Sequence, residues 1–128
     1  MKKAGILVLC GLVAAMLVGY VGSVDARPNY PKVFGKVEGF KNIEKEATEA
    51  KCNVCHYGKD KKNRNDFGKA LVKGGLKKEA YNEVSKDLDA VGKLLNEHVD
   101  KLLESEDGKA FKERIEAGKL PAENPKEE

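Results

Sequence analysis

Past residue 26 the apolar positions fall into runs of different spacing, and each run predicts an element. Asn42 stands where a helix N-cap would, with Glu44 and Glu46 in the first turn, where the helix dipole favours acids. Ile43, Ala47 and Ala50 then recur at helical spacing, which predicts a short helix running into Cys52. Asn65 or Asp66 can start a second short helix through Phe67, Ala70 and Leu71, stopped by Gly74 and Gly75. Tyr81, Val84, Leu88, Val91, Leu95, His98 and Leu102 alternate steps of three and four, the stripe of a long amphipathic helix that Gly92 kinks or splits. Asp107 can cap a last short helix bearing Phe111 and Ile115, with Gly118 as its stop and Pro121 against continuation. Residues 27–41 carry Pro28, Pro31, Gly35 and Gly39 and predict an irregular, extended segment that buries Val33, Phe34, Val37 and Phe40. The tail, 122–128, is expected to fray. No run alternates as a strand would, and no segment repeats, so the expected class is all-α.

The first 26 residues differ from everything after them. A basic start (Met1-Lys2-Lys3) leads into an apolar run and then small residues at Val24-Asp25-Ala26, the pattern of a secretory signal peptide over 1–26. The 19 residues Ala4 to Gly22 carry no charge and are long enough for an uncleaved membrane anchor. The small residues at the exit favour cleavage, and Cys10 belongs to the discarded segment because Leu9 stands where a lipoprotein would have a small residue. An exported, periplasmic location follows, with a membrane-anchored one as the alternative.

Cleavage after Ala26 removes Lys2, Lys3 and Asp25, so the net charge falls only from +3 to +2. That excess offers no concentrated basic face for nucleic acid. Only 34 of the 102 residues after Ala26 are apolar and none is tryptophan, a thin core for a domain that must offset its own ordering entropy. A further apolar component is expected in the middle.

Two cysteines follow the leader, in Cys52-Asn53-Val54-Cys55-His56. This is C-x-x-C-H, the pattern of covalent haem c attachment. Two thiols one helical turn apart can reach the two vinyl groups on one side of a porphyrin, and the following imidazole can bond the iron. Three other uses compete for these residues. A redox dithiol belongs beside a βαβ pattern that is missing. A zinc site recruiting Cys52, Cys55 and His98 or His56 lacks the usual close spacing of its second ligand pair. A disulfide across so short a loop would be a weak staple. The leader, the thin core and the helical pattern each agree with a haem, whose apolar face would supply missing buried surface.

On these residues the chain resembles mono-haem c-type cytochromes, broadly of the class I kind. The run KCNVCHYGKDKKNRNDFGKAL (Lys51 to Leu71) is also similar to a group of short exported bacterial cytochromes, which share a lysine- and asparagine-rich loop and a terminal helix ending in G-K-L-P, here Gly118 to Pro121. The resemblance implies a small cytochrome c-like domain over 27–121, with about four helices packed around one covalently bound haem. It implies Cys52 and Cys55 as attachment points, His56 as the proximal iron ligand, and electron transfer as the role. One departure stands out: both methionines, Met1 and Met16, lie in the leader, so the usual methionine sixth ligand is excluded.

His98, the only other histidine, sits on the apolar stripe between Leu95 and Leu102 and is the candidate distal ligand. Its competing role is a core histidine bonded to backbone; lysine or asparagine could ligate instead, or the position could be open. Ligation by His98 suits an electron carrier, with a lower potential than methionine would give. An open position suits a binding or sensor module for a small ligand. Lys59, Lys61, Lys62 and Arg64 form a basic patch that could dock acidic redox partners, against the plainer reading of a solvated loop. No nucleophile with a base and no defensible carboxylate pair points to an enzyme.

Overall fold

The computed structural model describes residues 27–59 and 62–125. The expected leader or anchor, Cys10 and Lys61 lie outside the described residues. Within them the chain is helical, with five α-helices and four short 3₁₀ segments where about four helices were expected. No strand occurs among the described residues; one isolated antiparallel bridge joins His56 to Arg64.

The N-terminal stretch is the first correction. It is not extended but forms two 3₁₀ segments, Pro31–Lys36 and Glu38–Ile43. Pro31 opens the first, where its missing N–H is no loss. Phe34, Val37, Phe40 and Ile43 recur every third residue, and all four are buried. A 3₁₀-helix has three residues per turn, so this spacing suits the two segments, which Val37 joins in an extended conformation. The backbone therefore runs directly into helix α1 (Glu44–Ala50), and Asn42 caps nothing because it is already inside the preceding turn.

A fourth-residue rhythm resumes beyond the motif. Helix α2 (Asp66–Lys73) starts at Asn65, whose side-chain oxygen accepts the Gly68 N–H at 2.9 Å. The Gly74-Gly75 turn ends it, with Gly75 at φ +107°, a conformation that suits glycine. The long stripe divides before Gly92, at Ser85–Asp87, into α3 (Lys78–Val84) and α4 (Leu88–Glu104). Asp87 causes the break by accepting from the Asp89 and Ala90 N–H groups and so restarting a helix. Gly92 lies buried inside α4. Helix α5 (Lys109–Glu116) follows a 3₁₀ turn capped by Ser105 rather than Asp107, and Gly118 ends it at φ +74°.

Helix α4 runs through the centre and buries Val91, Leu95 and Val99. Aromatic rings link the other elements across the core: Phe34 to Phe40 at 5.6 Å, Phe40 to Phe67 at 6.0 Å, and Phe67 to Phe111 at 5.4 Å between centroids. The tail is docked rather than frayed through residue 124: Pro121 and Ala122 are buried, and Asn124 bonds both Asn65 and the Asn53 carbonyl.

Asn65 is 2 % exposed and all its polar groups are used. Its amide nitrogen donates to the Val54 carbonyl and to Asn124 Oδ1, both at 2.9 Å, and its backbone N–H donates to the Cys55 carbonyl at 2.9 Å. Replacing it by alanine removes a helix cap (about 1 kcal/mol) and orphans a buried carbonyl (about 1–3 kcal/mol). Asn65→Ala should therefore lose about 2–4 kcal/mol in urea unfolding and Asn124→Ala about 1 kcal/mol or less, read as a shift in midpoint at constant slope.

Candidate functional site

The motif occupies a 3₁₀ turn, Lys51–Val54, continued by Cys55 and His56. The Cys52 carbonyl accepts from the N–H groups of Cys55 (3.2 Å) and His56 (2.9 Å). That winding brings both cysteines to one cleft, which His56 also lines. The thiols are free rather than bridged. Lys51, at the entrance to the motif, has φ 51° and ψ −121°, a left-handed conformation that costs a non-glycine residue of order 1–3 kcal/mol. From the other side the turn is clamped by α2: a Cβ on Gly68 would come within 2.3 Å of the Cys55 carbonyl oxygen, so only glycine fits there.

His56 is oriented by the loop that follows it. Its Nδ1 lies 3.2 Å from the Asn63 carbonyl, which also accepts the Tyr57 N–H at 3.2 Å. A carbonyl only accepts, so Nδ1 carries the proton and the neutral ring has its lone pair on Nε2, the atom that would ligate a metal.

The cleft opens to solvent around a cavity of about 70 Å³. Phe34, Leu71, Val72, Leu76 and Leu95 give it apolar walls, and Arg27, Tyr30, Lys51 and Arg64 add polar groups. Burial pushes the Cys55 thiol up to about 12, with Cys52 adding to the rise and Arg27 and Arg64 opposing it. A redox dithiol needs the opposite shift, because the thiolate is its nucleophile. Among the described residues no group of three or more His, Cys, Asp or Glu is arranged to hold a metal ion, which leaves the zinc reading without a ligand set there.

The residues do fit a covalently bound haem: two thiols and an imidazole of the ligating tautomer meet apolar walls. His98 lies outside the residues lining the cleft, whose wall on α4 is Leu95, and its Nε2 is 3.5 Å from where a Cβ on Gly75 would stand. Its Nδ1–H donates to the Leu94 carbonyl at 2.9 Å, so it shares His56's tautomer in a different place. The basic patch divides too. Lys59 and Lys62 are exposed, while Arg64 is half-buried in the cleft wall.

Sequence reasoning missed Asn63, Gly68, Arg27 and Tyr30 as parts of the site. The first two act through backbone geometry, which no periodicity encodes. Arg27 and Tyr30 belong to a proline-rich stretch where no stripe assigns a face.

The raised Cys55 thiol has a direct consequence for the haem-free chain. Neutral thiol is favoured by folding, so this contribution to stability is complete below about pH 9 and is lost as pH rises towards about 12. Alkylation of Cys55 at pH 8 should be slower than that of an unfolded cysteine by on the order of a hundredfold or more. Peptide mapping after timed iodoacetamide exposure checks this; equal rates in native and urea-unfolded protein would refute it. Compared with family models, curated proteins and solved structures, the chain matches none.

Proposed function

We propose that the chain is an exported, periplasmic mono-haem c-type cytochrome that transfers electrons and is not an enzyme. In this reading Cys52 and Cys55 hold one haem c and His56 is its proximal iron ligand. The observation that carries it is the meeting, in one apolar cleft, of two thiols a turn apart and an imidazole whose Nδ1–H is held by the Asn63 carbonyl.

The bound group would supply a one-electron ferric–ferrous couple. The chain's own residues do the rest. Cys52 and Cys55 would hold the group through thioethers, each S–H adding across one vinyl C=C. Asn63 fixes the plane and tautomer of His56, as an outer partner of a metal-bound histidine does. Asn65 and Gly68 hold the turn against α2. Phe34, Leu71 and Leu95 would give a bound group an apolar wall and limit its contact with water. Lys59, Lys61, Lys62 and Arg64 would attract acidic redox partners, an attraction that weakens with salt.

A second reading, a five-coordinate haem that binds a small gas or anion, is favoured by one placement. His98 turns its Nε2 towards Gly75, and Leu71, Leu76 and Leu95 line the cleft instead.

Expression in a host competent in cytochrome maturation tests the main reading. The protein should be coloured, with its mass raised by one haem, and Cys52→Ser and Cys55→Ser should each lose one thioether. Colourless protein at bare-polypeptide mass refutes it. The ferric visible spectrum of His98→Ala then decides the sixth ligand: loss of the low-spin form assigns it to His98, and an unchanged low-spin spectrum eliminates His98. Rapid carbon monoxide binding by the ferrous wild type selects the open-site version.

A further inference from the structure

Among the described residues two buried side-chain atoms lack a hydrogen-bond partner: Nε of Arg27 and the hydroxyl oxygen of Tyr30. An unsatisfied buried donor costs about 1–3 kcal/mol, and folded proteins retain few of them. Both residues line the cleft that holds Cys52, Cys55 and His56.

Neither side chain is loosely placed. Arg27 Nη1 donates to the Leu76 carbonyl at 3.0 Å. That bond uses one side of the guanidinium and leaves the edge on which Nε sits, an edge that pairs with a carboxylate through two parallel N–H bonds. Tyr30 is held by edge-on packing against Tyr81, with ring centroids 5.1 Å apart. Burial raises its phenol to about 12 although the Arg27 guanidinium opposes the rise by its charge and by a hydrogen-bonding approach that leaves both buried atoms short of good geometry, so at neutral pH Tyr30 keeps an O–H to donate beside Arg27. The lining also includes Lys51 and Arg64 and contains no aspartate or glutamate. An apolar cleft with cationic groups and two unused donors suits an occupant with an apolar body and acidic groups.

From this pair we infer that Arg27 and Tyr30 form a carboxylate clamp in the cleft, gripping an acidic group of the molecule that fills it. The inference rests on the haem reading above, under which that group is a haem propionate. The guanidinium holds the propionate ionised below the neutral range, and its positive charge favours the reduced iron. Arg27 and Tyr30 thus orient the ring and set its potential, while the cysteines only tether it.

The test uses the full chain matured with haem, as wild type, Tyr30→Phe, Arg27→Gln and Arg27→Lys. Tyr30→Phe keeps the packing on Tyr81 and lies beyond the expected cleavage point, so it covers the case in which Arg27→Gln fails to mature. Mass, midpoint potential from about pH 5 to 8, and the propionate bending band in resonance Raman are read for each. All variants should carry haem at the wild-type mass increment. The Raman band should shift in all three. Arg27→Gln should have a lower potential that falls with rising pH where the wild type is flat, because the propionate then protonates within the range. Arg27→Lys should recover part of that potential by restoring charge without the fork. Haem-bearing variants with wild-type potential, pH profile and Raman band overturn the clamp alone. Wild-type protein at bare-polypeptide mass overturns the haem reading and the clamp with it.

Discussion

One buried amide organises this molecule. Asn65 joins three pieces of chain distant in sequence: the carbonyls of the cysteine turn at Val54 and Cys55, the first turn of α2, and the tail at Asn124. A buried amide is stabilising only when its donors and acceptor are all used, since each unused one retains its desolvation cost. Asn65 meets that condition, so the geometry of the motif turn is set by hydrogen bonds that tolerate little displacement. Gly68 tightens the same junction by letting α2 approach the Cys55 carbonyl. The site is therefore built from the contact of a 3₁₀ turn with a short helix, not from either element alone.

The two histidines show how place, not chemistry, distinguishes residues. Each ring gives its Nδ1–H to a backbone carbonyl, Asn63 for His56 and Leu94 for His98, and each is left with its lone pair on Nε2. His56 lies with the two thiols against the cleft. His98 is bonded one turn back along its own helix, the ordinary solution for a histidine on a helix face, and meets the Gly74-Gly75 turn. The stripe that carries it has period 3.6 and says only that the residue faces inward. It cannot say which neighbour the residue meets.

The cleft also accounts for the thin core. Few large apolar residues are available, and the aromatic chain from Phe34 to Phe111 and the buried face of α4 take most of them. Leu71 and Leu76, with Leu95 and Phe34 from those two groups, also wall the cleft beside the motif. Burial there explains why the Cys55 thiol resists ionisation. A chain with more of its own apolar volume would close such a gap, because interiors pack densely.

The hydrophobic pattern determined the helical class, the helix from Asp66 to Lys73, the stop at Gly118 and the inward face of the long stripe, because each is a local effect of periodicity, capping or φ. The cysteine–histidine motif was equally legible, since its spacing alone brings the three side chains within one turn. Other features depended on partners far along the chain. The three-residue spacing of Phe34, Val37, Phe40 and Ile43 was present in the sequence, yet prolines and glycines around it suggested extended chain until packing against α4 selected 3₁₀ turns. Asp87 broke the long helix by a side-chain bond that periodicity does not register. Tertiary structure alone put Arg64, Arg27 and Tyr30 around the cleft, left His98 outside it and docked the tail on Asn65. Those placements arise from contacts between residues as many as 71 positions apart, and no local pattern encodes them.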